Sequence, residues 1–73
     1  MRNQKERIIA YMERFGSITT AQAFIDLGVS RLSARIFDIK EDGYAIDEEW
    51  VTAKNRFGED VTFKKFSLKK GDN

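Results

Sequence analysis

The chain contains neither cysteine nor histidine. Without cysteine no disulfide can staple the fold, so stability must come from packing, and the absence fits a reducing cytosolic setting. Without histidine as well, a Ser-His or Cys-His nucleophile pair is excluded, as is a zinc site built on those ligands. No apolar run approaches the ~20 residues of a membrane span, and the N-terminus lacks a signal peptide's apolar stretch. The expectation is a soluble, intracellular protein with no membrane partner, no bound metal and no cofactor.

What is present is modest. Seventy-three residues make one domain, and an apolar fraction of 41% is enough for a small core. Carboxylates are the remaining candidates for metal or acid-base chemistry, and their densest cluster is Asp47, Glu48 and Glu49. On a strand, Asp47 and Glu49 share a face while Glu48 points the other way. Such pairs are far more often solvated charge than a site, so catalysis is not expected. The net charge is +1 but unevenly spread. Arg2, Lys5, Arg7 and Arg14 gather near the start, Lys64, Lys65, Lys69 and Lys70 near the end, and the middle is acidic. Basic ends around an acidic centre suit a single anion-binding face.

Apolar spacing divides the chain. Ile8, Ile9, Met12 and Phe15 mark an amphipathic helix, with Asn3 and Glu6 at capping-box spacing and Gly16 as its stop. A second, short helix follows in "ITTAQAFIDLG". Thr19 and Gln22 form its capping box, Ala23, Phe24 and Leu27 its inner face, and Gly28 its end. The third is expected to be N-capped by Ser30 and to run to about Asp42, with Leu32, Ile36 and Ile39 inward. Only "GVS" separates the second and third helices, and so tight a turn forces a steep crossing. Beyond Gly43, "AIDEEWVTAK" and "VTFKKFSLKK" read as strands around the turn "NRFGED". Val61 and Phe63 share one phase and Phe66 and Leu68 the other, which predicts a bulge near Lys64 and Lys65. Trp50 and Phe37 are expected in the core, Phe37 beneath the hairpin.

Three helices with a tight second turn and then a hairpin resemble a winged helix-turn-helix domain of α+β class. The residues "SITTAQAFIDLGVSRLSARIFDIKEDGYAI", followed by "EEWVTAKN", are similar to a family of small domains common in bacteriophage and prophage genes. In that family an SIT-x-x-x-A segment opens the second helix, RL-x-ARI-x-D runs through the third, and W-x-x-x-x-N lies in the hairpin. The likeness spans about Ile8 to Leu68, giving one domain over residues 1–70 and a frayed tail at 71–73. Glu41 and Asp42 stand where many relatives carry a basic residue.

The resemblance implies binding to double-stranded DNA in the bacterial cytoplasm or nucleoid, by a transcriptional regulator or an excisionase-like architectural factor. A recognition helix enters the major groove by its N-terminal part. The candidate contacts are therefore Ser30, Arg31, Ser33, Ala34 and Arg35, joined by Thr20 at the start of the second helix. Arginine offers guanine a two-donor fork, serines reach bases or phosphates, and Ala34 lets the backbone approach. Arg35 also lies three residues before Asp38, where an ordinary ion pair forms. On the hairpin, Lys54, Asn55, Arg56, Lys64 and Lys65 are candidate backbone contacts, although edge lysines also prevent aggregation. So small a domain is expected to need a weak homodimer or cooperative neighbours. A winged-helix module that binds a host or phage protein is the alternative.

Overall fold

The computed structural model describes residues 3–69. Its elements run α1 (Gln4–Phe15), β1 (Ile18–Thr19), α2 (Thr20–Leu27), α3 (Leu32–Glu41), β2 (Ile46–Lys54) and β3 (Asp60–Leu68). The frayed tail expected at 71–73 lies outside the described residues.

Local chemistry sets the first two helices. At α1 the Asn3 side chain accepts from the Glu6 backbone N–H at 2.8 Å, and the Asn3 N–H donates to the Glu6 carboxylate at 3.2 Å. Thr19 and Gln22 repeat the exchange at α2, at 3.2 and 3.0 Å. Each reciprocal pair satisfies otherwise orphaned donors and pins the helix start. Gly28 ends α2 with φ 71°, a left-handed turn that glycine adopts without penalty. The next N–H, of Val29, reaches back to the Ala23 carbonyl at 3.0 Å. This closes a Schellman-type turn and drives Val29 into the core, where it is fully buried.

Ile8, Met12, Ile18, Ala23, Val29, Leu32, Ile36, Ile39 and Phe66 form the core. Burying an aliphatic chain of this size contributes about 1.5–3 kcal/mol relative to exposure. The wing is more than a two-stranded hairpin. β1 pairs antiparallel with β3, Ile18 opposite Phe66 and Thr19 opposite Lys65, giving a three-stranded sheet in the order β1-β3-β2. That short strand seats Ile18 and Phe66 together over the helices.

Several sequence expectations are corrected. The expected bulge is absent: β2 and β3 pair in one register from Ile46↔Leu68 to Lys54↔Asp60. Both faces of the hairpin carry apolar residues instead, Phe66 and Leu68 inward and Val51, Val61 and Phe63 outward. Trp50 is 66% exposed, because it lies beyond the part of the sheet that covers the helices. The Lys64 ammonium sits over its ring, 5.3 Å from the centroid. Phe37 is 62% exposed, not covered by the hairpin. On α2 the inner positions are Ala23 and the half-buried Leu27, whereas Phe24 faces outward, as does Phe15 at the end of α1. Ile18 and Val29 already occupy the space beside α2, so small Ala23 makes the close approach. The third helix starts at Leu32 rather than after Ser30 and ends at Glu41; Arg31 is its N-cap.

An ion-pair latch joins α3 to the wing. The Glu48 carboxylate accepts from Lys40 on α3 and from Lys64 on β3, the latter at 2.9 Å. The Lys40 hydrogen bond, then that of Lys64, holds the Glu48 carboxyl at about 2, below its ordinary 4.5. A depressed carboxyl pKa stabilises the fold above the unfolded value. That stability is lost as pH falls through the window from 4.5 to about 2. Acidification from about pH 6 to about pH 3 is expected to lower the melting temperature of the parent more than that of Glu48→Gln. Equal drops in the two thermal melts would show that the latch contributes nothing.

Candidate nucleic-acid interface

The tight turn brings the beginnings of α2 and α3 to one place. There Thr20, Ser30, Arg31, Leu32, Ser33 and Ala34 line an open cleft of about 280 Å³. All but Leu32 are contact residues that the resemblance implies. Arg31 adopts φ −127° and ψ 64°, and its side chain makes no capping hydrogen bond. The first-turn N–H groups of Leu32, Ser33 and Ala34 therefore have neither an intrahelical acceptor nor a capping side chain. Those donors and the positive end of the helix dipole favour an anion. No carboxylate among the described residues lies in ion-pair range of the exposed Arg31, so its guanidinium is free to turn outward. An uncapped helix start beside an unpaired arginine can hold a phosphate and present a two-donor fork.

Arg35 is placed elsewhere. It lines a separate cleft between α3 and the start of α1, with Asn3, Gln4, Lys5 and Asp38. Its guanidinium pairs with Asp38 at 3.1 Å, and its Nε is buried without a partner among the described residues. Next to it Lys5 pairs with Asp42 at 2.7 Å, tying α1 to the end of α3. The acidic residues Asp38 and Asp42 are thereby turned to bracing the helices.

The wing residues are mostly engaged. Lys54 pairs with Asp60 at 2.7 Å, Lys64 with Glu48 at 2.9 Å, and Lys65 lies 3.8 Å from Glu49. Asn55 organises the tip: its side-chain oxygen accepts from the N–H groups of Phe57 and Glu59, at 2.9 and 3.0 Å. Arg56 has no carboxylate in ion-pair range among the described residues. Lys64 also borders a groove of about 220 Å³ with Ser33, Phe37 and Lys40, so helix and wing share one surface. Sequence reading passed over Phe57, 86% exposed at the apex. Its one signal was an aromatic ring inside an otherwise polar turn.

Three helices, a cleft where the second and third begin, and a sheet-braced wing define a helix-turn-helix protein with a wing. The chain belongs to the winged helix-turn-helix domain family, whose model matches residues 3–70. No curated protein and no solved structure matches it. Family membership points to DNA binding in general, and no described helix is long and apolar enough to cross a membrane.

Proposed function

We propose that this is a non-enzymatic DNA-binding protein of phage or prophage type, acting in the bacterial cytoplasm and associated with the nucleoid. It is a transcriptional regulator or an excisionase-like architectural factor. The start of α3 enters the major groove, with Arg31 and Ser33 at base edges and Ala34 against the backbone or a thymine methyl. Thr20, Ser30 and the free N–H groups of α3 hold phosphate. The observation carrying this reading is the convergence of four polar or small candidate residues on one cleft beside Arg31, which has no ion-pair partner among the described residues. Arg35, tied to Asp38, serves chiefly to set the helix.

The phage assignment rests on the "RLSARIFDIKEDG" and "EEWVTAKN" resemblance. Useful affinity comes from a weak homodimer or from cooperative copies on adjacent sites, since one small domain buries limited surface. Mobility shifts on random duplex at low and moderate salt test the reading. A shift that weakens steeply with added salt supports it; no shift at low salt rejects it.

On the wing, the ion pairs of Lys54, Lys64 and Lys65 predict small effects on neutralisation. Arg56→Ala is expected to flatten the salt dependence by about one unit, and each lysine variant by less. Salt titrations in which the lysines dominate would show that their carboxylate partners release them to phosphate.

The protein-interaction alternative draws on Phe24 and Ile25, both exposed on α2, the latter 77% exposed. Pull-down of a host or phage protein that Phe24→Ser abolishes, without any duplex binding, would favour it.

A further inference from the structure

Strand β2 leaves one full edge of its backbone unpaired. In the sheet order β1-β3-β2 it is a terminal strand, bonded to β3 alone among the described residues. Which of its groups are free follows from the two ends of the ladder. Lys69 N–H donates to the Ala45 carbonyl and Asn55 N–H to the Glu59 carbonyl, each at 2.9 Å. Both bonds continue the register of the strand pairs between them. In an antiparallel ladder the residues turned toward the partner strand alternate. The odd-numbered residues of β2 therefore face β3. The N–H and C=O groups of Ile46, Glu48, Trp50, Thr52 and Lys54 point to the open edge.

Open edges of this length invite pairing, and natural sheets blunt them with proline, bulges, shortness or charge. Here the chain has no proline, the strand runs nine residues, and its register has no bulge. Charge is present but split by sign. Asp47, Glu48 and Glu49 stand at one end, Lys54 and Arg56 at the other, with the exposed Trp50 between. A copy of the same strand laid antiparallel brings each acidic end toward a basic one, whereas a parallel copy stacks like on like. The edge complements itself.

We infer that β2 pairs antiparallel with β2 of a second copy, about a twofold axis at Trp50. This register sets Trp50 opposite Trp50, Glu48 opposite Thr52 and Ile46 opposite Lys54, so every edge-facing residue finds a partner. Antiparallel partners share a face, and through Glu48↔Phe66 the face of Trp50 is the one that carries the helices. Both helix layers then lie on one side of the joined sheet, where two α3 starts can meet one duplex. The far edge, β1, has only two residues, so assembly closes at two copies. A single strand pair buries little surface, which makes the dimer weak. The inference goes beyond the DNA-binding reading by giving its homodimer an interface, and its test contains no DNA, so either can fail alone.

The test is sedimentation equilibrium of the full chain from about 10 µM to about 1 mM, with amide hydrogen exchange at both limits. The parent is expected to pass from monomer to dimer mass. The amides of Val51 and Ala53, bonded to β3, should exchange slowly throughout. Those of Glu48, Trp50 and Thr52 should slow only at high concentration. Thr52→Pro removes an edge-facing donor from each copy, a place where an edge strand tolerates proline. It should melt like the dilute parent and weaken the dimer roughly tenfold. Trp50→Lys, which sets like charges on the axis, should weaken it as well and serves if the proline variant fails to fold. A parent still monomeric at about 1 mM would overturn the inference. So would a dimer whose edge amides stay fast, or folded variants that dimerise as the parent does.

Discussion

Ile36→Ala is expected to destabilise the fold by about 2–5 kcal/mol. Ile36 is 2% exposed midway along α3, on the face it shares with Leu32 and Ile39. It borders Phe66 of β3, so the methyl groups removed are those on which the wing sheet rests against the helix-turn-helix. The substitution loses the transfer energy of those groups and leaves a cavity that three separate elements cannot all move to fill. With no disulfide to limit the unfolded chain, a domain of this size holds little reserve, and the melting temperature should fall on the order of 10–40 °C. Ile36→Val should cost only about 0.5–1.5 kcal/mol, giving a graded series that thermal and urea denaturation can read. A variant with Ala that melts like the parent would show that this face of α3 is not the core.

The second large effect is expected at Arg31, and it falls on binding instead of stability. Because the Arg31 side chain makes no capping hydrogen bond and no ion pair among the described residues, its removal leaves the fold nearly intact. Its guanidinium presents two parallel donors in a fixed plane, matching O6 and N7 of guanine, which a lysine ammonium cannot reproduce. Arg31→Ala should therefore lose about 1–3 kcal/mol on a selected site and much less on random duplex. Arg31→Lys should keep the random-sequence affinity and lose most of the discrimination. Equal losses on both kinds of DNA in both variants would reduce Arg31 to a phosphate clamp. Unchanged binding in both would make the helix start an ordinary solvated surface.

The parts of this fold that could be read from sequence are those decided within a few residues. Asn3 with Glu6 and Thr19 with Gln22 carry their own geometry, and Gly28 marks a turn too tight for anything but a steep crossing. The apolar stripe of α3 is legible because Leu32, Ile36 and Ile39 recur at i, i+4 and i+7, one face of a helix. Around α2 the chain is apolar at Ala23, Phe24, Ile25 and Leu27, so the pattern cannot say which of them faces inward; packing against Ile18 and Val29 decides it. Strand β1 has two residues and no signal of its own, since it exists only by pairing with Phe66 and Lys65 far along the chain. Trp50 and Phe37 misled for one common reason. A large ring is usually buried, but Trp50 sits on the stretch of β2 that extends beyond the helices, and Phe66 already fills the core beneath the sheet, leaving Phe37 outside it.

The candidate site divides in the same way. The resemblance singled out Thr20 at the start of the second helix and Ser30, Arg31, Ser33 and Ala34 at the start of the third, and the turn brings them to one cleft. The charge state of the wing depends instead on cross-strand register. Lys54 lies opposite Asp60 and Lys65 opposite Glu49, the latter a pairing that a bulge at Lys64 and Lys65 displaces. Counting lysines therefore overstated the basic character of the wing, while Arg56 and Phe57 at the turn stayed unmatched.

The central claim is that the start of α3 and the adjoining start of α2 meet duplex DNA. It is tested most directly by following the backbone amide resonances of the nitrogen-15-labelled chain as random duplex is added at low salt. The account predicts shifts concentrated at Thr20 and at Ser30 through Ala34, with a second, smaller group at Asn55 through Gly58. Shifts confined to Phe15, Phe24 and Ile25, or none at all, would contradict it.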